Sequence, residues 1–307
     1  PVEGAGPCRR AERSMKTTSG KLRSGKGSRD ENFPVASWLI KPQHRPAILA
    51  FYEFVRVADD IADHASLTSG EKVDRLNGME ASLLGKSDHE PEGVRLRGVL
   101  EAQRLTPRHA QDLLDAFRQD ATKQRYTNWD DLIDYCSRSA MPVGRFVLDV
   151  HGESKATWPA NDALCAALQI INHLQDCGSD YQRLNRIYIP LDAMAAAGVS
   201  VDMLARNRAS PALRECLKGL VAQTADLLKE SEGFAASVKD RRLGLEIAVI
   251  QTLAKRLLRI LARRDPLSEP VHLSKAQAAG YAVRGAVGAG LHRLLRAVVP
   301  AHRYQVQ

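Results

Sequence analysis

The chain has little from which a β-sheet is built. Aromatic residues are 5% of its 307 positions, and no Val/Ile/Thr-rich run alternates with period two. Cysteines are few and odd in number: Cys8, Cys136, Cys165, Cys177 and Cys216. No CxxC and no Cys/His metal spacing occurs among them, so reduced, mostly buried thiols in a cytosolic protein are expected. No apolar run approaches the ~18–20 residues a membrane span requires. The N-terminus carries charge but no apolar core region, so no signal peptide is expected. No Gly-rich nucleotide loop, nucleic-acid motif or solenoid-length repeat is present.

Basic charge is present but concentrated. The net charge is +8, yet residues 1–29 hold eight Lys/Arg against Glu3 and Glu12, leaving about +2 for the rest. Those residues are rich in Gly, Ser, Lys and Arg and read as a disordered basic arm. The basic pI therefore reports a tail and is no sign of a nucleic-acid partner. With apolar residues at 44%, Ala and Leu foremost, residues 30–300 read as one all-α domain with a substantial core. Helical spacing is expected from Pro46 through Asp63, over Val73–Leu84, Val94–Leu105 and Pro107–Arg125, and through Asn128–Asp149 as one helix disturbed by Pro142 and Gly144. It continues over Asp162–Asp180, Asp192–Ala197, Pro211–Glu232, Leu243–Arg264 and Lys275–Val299. Asn185–Pro190 reads as a non-helical strap, because Pro190 biases Ile189 away from the α conformation.

Two stretches organise the remainder. In YEFVRVADDIAD, Tyr52, Arg56, Asp59 and Asp63 fall at offsets 0, 4, 7 and 11; in QIINHLQDCGSD, Gln169, Asn172, Asp176 and Asp180 fall at 0, 3, 7 and 11. Each set lies on one helix face. Like charges four residues apart cost a helix about 0.2–0.5 kcal/mol, and a divalent cation would relieve that repulsion at both places. Mg²⁺ prefers carboxylate oxygens and commonly shares them with phosphate oxygens of a substrate. Two facing Asp pairs would thus hold Mg²⁺ against a diphosphate, with Arg56 and Arg186 neutralising the same leaving group. An apolar pocket between helices would hold the hydrocarbon left as a carbocation. The competing reading is two solvated acidic faces, with Arg56–Asp60 an ordinary ion pair.

The two stretches resemble the squalene/phytoene synthase family. Its first motif, Tyr-x₃-Arg-x₂-Asp-Asp-x₂-Asp, is matched by Tyr52, Arg56, Asp59, Asp60 and Asp63, and its second by Gln169, Asn172, Asp176 and Asp180. The Arg-x-Tyr that follows is matched by Arg186 and Tyr188. The resemblance covers roughly residues 30–275. It implies the all-α isoprenoid synthase fold with a central cavity and Mg²⁺-dependent chemistry on an isoprenoid diphosphate. It also implies metal ligation by Asp59, Asp60, Asp63, Asn172, Asp176 and Asp180. Contact with substrate is implied for Asn32, Phe33, Tyr52, Arg56, Gln169, Asn172, Arg186 and Tyr188. Asn32 and Phe33 read equally as a helix-start cap and staple.

Within the family, ENFPVASWLI and YCSRSAMPVGR look like the bacterial hydroxysqualene synthases of hopanoid pathways. That branch implies conversion of presqualene diphosphate to hydroxysqualene. Squalene synthases that perform both half-reactions carry an aromatic hydroxyl shortly after Tyr-Cys, where this chain has Ser137 and Arg138. The rival readings are head-to-head condensation of farnesyl diphosphate and a non-catalytic binding or assembly factor. Ala140, Val143 and Gly144 are candidates to line the hydrocarbon channel, and Arg264 and Lys275 for a further phosphate contact. The expected location is cytoplasmic. The basic face of Lys255, Arg256, Arg259, Arg263 and Arg264 and the stretch Leu291–Val299 are candidates for peripheral contact with anionic lipid, against a plain solvated face. Other enzymes of the pathway are candidates for protein partners.

Overall fold

Helix α1 (Arg45–Ala62) starts with a proline in its first turn, where the missing N–H costs nothing, and buries Ala47, Ile48, Phe51, Phe54, Ala58 and Ile61 along one stripe. The computed structural model describes residues 40–274 and, past them, positions 276, 277, 279–281, 283 and 285. The basic arm, Asn32, Phe33, Lys275 and Leu291–Val299 lie outside the described residues. Helix α2 (Ser69–Leu83) begins four residues before the expected Val73. Thr68 and Glu71 form a reciprocal capping box that satisfies the exposed N–H groups there. Helices α3 (Pro91–Gln103) and α4 (Arg108–Asp120) complete the first half.

Helix α4 stops short of the expected Arg125 because the chain leaves it to pair with the strap. The Ile187 N–H donates to the Gln124 carbonyl at 3.0 Å and the Leu191 N–H to the Tyr126 carbonyl at 2.9 Å. Arg125 and Ile187 make an isolated parallel bridge, and no strand forms among the described residues. The helix expected over Asn128–Asp149 is two helices, α5 (Trp129–Ser139) and α6 (Met141–Val150). Ala140 leaves helical geometry at φ −130°, and Pro142 then sits in the opening turn of α6. Helix α7 (Trp158–Leu184) runs 27 residues and ends on Asn185 in the left-handed conformation at φ 52°. After the strap come α8 (Leu191–Ala196), α9 (Pro211–Glu230), the short α10 (Phe234–Ser237) and α11 (Arg241–Leu261).

Two apolar cores result. One gathers Phe54 of α1, Leu76 and Met79 of α2, Leu96 of α3, and Leu113 and Leu114 of α4. The other gathers Leu132 of α5, Ile170 and Ile171 of α7, Leu213 and Leu220 of α9, and Ile247 and Leu257 of α11. Helix α6 lies between them: Phe146 joins the first and Leu148 the second. Between the cores a cavity of about 260 Å³ is walled by α1, α6, α7, Phe234 and α11. Val143 and Gly144 are on its wall, as expected of a hydrocarbon channel; Ala140 is not among its lining residues. Gly144 allows α6 and α7 to touch, since a Cβ there would lie 1.9 Å from Asn161 Oδ1. The four described cysteines are free thiols, with Cys136, Cys177 and Cys216 buried.

Candidate functional site

Both acidic stripes sit toward the C-terminal ends of their helices. Asp59 and Asp60 occupy the last turn of α1 and Asp63 is its C-cap, with no basic residue in that turn. Asp176 and Asp180 lie in the last turns of α7. A helix C-terminus carries about half a negative charge, so each placement is unfavourable by itself, and two such ends are brought together.

The two ends are close enough for their charges to act on one another. Burial pushes the Asp180 carboxyl up to about 7, and the charges of Asp176 on its own helix and of Asp63 on α1 push in the same direction. Asp59 is raised to about 7, by burial first and then by Asp63, against the lowering effect of Arg56. Its side chain nevertheless keeps 37% of its surface open to water, and that of Asp63 keeps 42%. Asp60 lies beneath and is buried. Arg56 donates to Asp59 Oδ2 at 2.9 Å and to Asp60 Oδ1 at 2.8 Å.

Arg186, on the strap, spans the gap between the helix ends. Its guanidinium donates to Asp63 Oδ1 at 2.6 Å and to the Ala62 carbonyl at 3.1 Å, so it also caps α1. Behind it lies a buried network absent from the motif reading. Asp120, the last residue of α4, accepts from the Tyr135 hydroxyl at 2.8 Å and the Tyr188 hydroxyl at 3.4 Å. Burial raises Asp120 to about 6, with Arg186 and the Tyr135 bond opposing. The Tyr188 ring stacks on His173 at 3.5 Å. Burial, then Arg186, pushes His173 down to about 3, so the imidazole is neutral. Lys72 of α2 is held below its usual pKa by burial and by the Arg186 charge.

The structure thus pairs Arg56 with Asp59 and Arg186 with Asp63, brings the charges of Asp63 and Asp176 to bear on Asp180, and places Tyr188 behind them against Asp120. Tyr52 lies on the cavity wall, as do Val55, one turn before Asp59, and Leu168, one turn before Asn172. Gln169 and Asn172 are half-buried on α7. Arg264 lies on an exposed loop, where it donates to the Pro270 carbonyl at 2.7 Å. Of the basic residues on α11, Lys255 pairs with Glu232 and Arg256 lies over the Tyr281 ring. No helix among the described residues is long and apolar enough to cross a membrane.

Motif reading missed Asp120, Lys72, Asn161 and Glu246. Glu246 and Asn161 are polar residues on an otherwise apolar wall. A lone Asp at a helix end or a lone Glu in an apolar helix has no spacing partner to announce it. The amphipathic pattern of α11, with Glu246 on its buried stripe, was the available signal for the latter.

Residues 27–277 match the squalene/phytoene synthase family. The chain belongs to this family. It is 59% identical over 257 residues to the hydroxysqualene synthase of Rhodopseudomonas palustris, covering 84% of this chain and 88% of that one. Against the hydroxysqualene synthase of Zymomonas mobilis it is 53% identical over 275 residues, covering 89% and 93%. The crystal structure of squalene synthase HpnC from Alicyclobacillus acidocaldarius superposes with a TM-score of 0.63 at 26% identity, covering 90% and 92%. A dehydrosqualene synthase solved with a ligand shares the fold, at a TM-score of 0.73 and 21% identity over 89% and 95% of the two chains. As a member of the squalene/phytoene synthase family the chain is an isoprenoid synthase, with the single-domain helical fold that its sequence predicts.

Proposed function

We propose that this enzyme converts presqualene diphosphate to hydroxysqualene with release of diphosphate. One observation supports the site assignment: the charge of Asp63 on α1 reaches Asp180 on α7, and Asp59 lies one helical turn beyond Val55 of the apolar cavity wall. The high identity to hydroxysqualene synthases supports this reaction over farnesyl diphosphate condensation and over a non-catalytic role.

The donor set suits Mg²⁺. Six carboxylates, counting Asp120, influence one another here, while Arg56, Arg186 and Lys72 supply the neighbouring positive charge. Three of the carboxylates are pushed up toward neutrality, the state an added cation would relieve. Asp59, Asp63, Asp176 and Asp180, with Asn172, would hold the ion. Bound there, Mg²⁺ would supply Lewis-acid neutralisation of the departing diphosphate. Arg186 and Arg56 lie beside these carboxylates to meet the remaining phosphate oxygens, and Asp60 fixes the direction of Arg56. The apolar walls of α1, α6, α7 and α11 shield the carbocation from bulk water. Tyr52, Asn161 and Glu246 are polar side chains on the cavity wall, and they are the candidates to position the water that adds to the carbocation and to accept the proton it loses.

The test is incubation of the purified chain with presqualene diphosphate and Mg²⁺, followed by mass spectrometry of the extract. Hydroxysqualene is expected from presqualene diphosphate, and no product from farnesyl diphosphate alone. Asp59→Asn and Asp176→Asn should each lower turnover by about 10²-fold or more, with helical circular dichroism intact. Full turnover in both variants would refute the site, and presqualene diphosphate formed from farnesyl diphosphate would refute the reaction.

A further inference from the structure

At the opposite end of α1 from the carboxylates, three potential metal ligands come together from three helices that wall the cavity. His44 is the N-cap of α1, His151 the C-cap of α6, and Asp240 the N-cap of α11. One ligand atom from each lies within 4.8 Å of the other two, and the histidine rings are 4.2 Å apart between centroids. Fifteen residues of α1 separate His44 from Asp59, which is roughly 22 Å along the helix.

The surroundings are those of a prepared ligand set. His151 Nδ1 is 2.8 Å from the Val147 carbonyl, an acceptor only. That contact places the ring proton on Nδ1 and leaves the Nε2 lone pair exposed, the arrangement backbone carbonyls impose on metal-binding histidines. Asp240 Oδ1 is fixed by the N–H groups of Arg242, at 2.8 Å, and Leu243, at 3.3 Å. Its backbone is anchored in turn by Glu153, which accepts from the Asp240 N–H at 2.7 Å. The Asp240 side chain is only 8% exposed, and its Oδ2 meets the Lys41 ammonium at 2.9 Å. A cation already neutralises the position a metal would take, and it does so from a lysine side chain 43% exposed that can swing aside. Burial and the neighbouring His151 ring hold His44 below its ordinary pKa, which favours the neutral, ligating form.

We propose that His44, His151 and Asp240 form a binding site for a transition-metal cation of the Zn²⁺ class, which displaces Lys41 and ties together the ends of α1, α6 and α11. Two imidazoles and one carboxylate suit Zn²⁺ or Co²⁺, with a water in the fourth position, and do not suit Mg²⁺. Tetrahedral ligation needs donor atoms roughly 3.3 Å apart, so the three atoms, now within 4.8 Å of one another, must draw in. The three ligands lie one turn or less from Ile48, Val147 and Leu243 of the cavity wall. The metal would therefore fix the far end of the cavity and leave the carboxylate rim untouched.

The test uses the EDTA-treated full chain with Co²⁺, read by visible absorption of the bound ion, and with Zn²⁺, read by the thermal midpoint. Binding of one Co²⁺ per chain is expected, with a raised midpoint in Zn²⁺. Both should persist in an Asp59→Asn/Asp176→Asn double variant and be lost in His151→Gln and in His44→Gln. Glutamine at 44 leaves the hydrogen bonds that fix His151 and Asp240 in place, so this variant decides the question if His151→Gln is unstable. Absence of Co²⁺ binding overturns the proposal. So does retention of the signal in His44→Gln, or its loss in the double variant, which would place the ion at the carboxylate rim.

Discussion

Asp59 and Asp180 are each pushed up to about 7, far above the range of a free aspartate. A carboxyl whose folded pKa exceeds its unfolded value binds more protons when folded. Its contribution therefore favours the fold at low pH and is lost as pH rises from about 4 to about 7. His173, pushed down to about 3, acts in the opposite sense between about 3 and 6.5, because only the unfolded chain is then protonated. The two trends oppose each other in acid, so the metal-free pH profile alone is a poor readout. Mg²⁺ separates them, since it must displace protons from the carboxylates but not from His173. The rise in thermal midpoint on adding Mg²⁺ is expected to be larger at pH 8 than at pH 6. An equal rise at both would remove the carboxylates as the ligands. These pKa shifts were not legible in the sequence, which places Asp63 and Asp180 more than a hundred residues apart. What it did carry was the spacing within each stripe, a local property of one helix.

At the scale of elements, the strap has a structural role beyond the charge neutralisation that the sequence suggested for Arg186. Pro190 marked the Asn185–Pro190 strap as non-helical, but nothing local indicated that Arg186 would also close the end of α1. Arg186→Gln removes a charged donor from Asp63 and from the Ala62 carbonyl, and should lower stability by about 1.5–3 kcal/mol. Because Asp63 is still 42% exposed, the loss falls short of that for a fully buried pair. An unaltered urea midpoint would contradict the capping role. The junction of α6 and α7 tests a second element. Ala in place of Gly in a helix normally gains about 1 kcal/mol. At Gly144 the new methyl meets Asn161 Oδ1 at 1.9 Å, so overpacking of about 1–3 kcal/mol should dominate. Gly144→Ala is expected to unfold at lower urea than the parent; a higher midpoint would show that α6 is free to move away. The single helix expected over Asn128–Asp149 failed at this same region. Periodicity continues across Ala140, whereas the break depends on Pro142, which can end one helix or begin the next.

For the molecule as a whole, the all-α class and most helices were legible, since apolar periodicity is read directly from the chain. The division into two cores was not, because it depends on which stripe meets which. Phe51 and Phe146, far apart in the chain but stacked 3.9 Å apart, tie α6 to the first core. The cavity between those cores gives the protein a mechanical property. A folded chain enclosing unfilled space occupies more volume than its unfolded form with water around every side chain, so compression acts against the fold. Hydrostatic pressure should therefore unfold the ligand-free enzyme more readily than an ordinary helical protein of its size. A hydrocarbon diphosphate analogue lodged between α1, α6, α7 and α11 should raise the midpoint pressure, as seen by intrinsic fluorescence in a high-pressure cell. The same hollow that receives the substrate makes the resting enzyme compressible, and occupancy stiffens it.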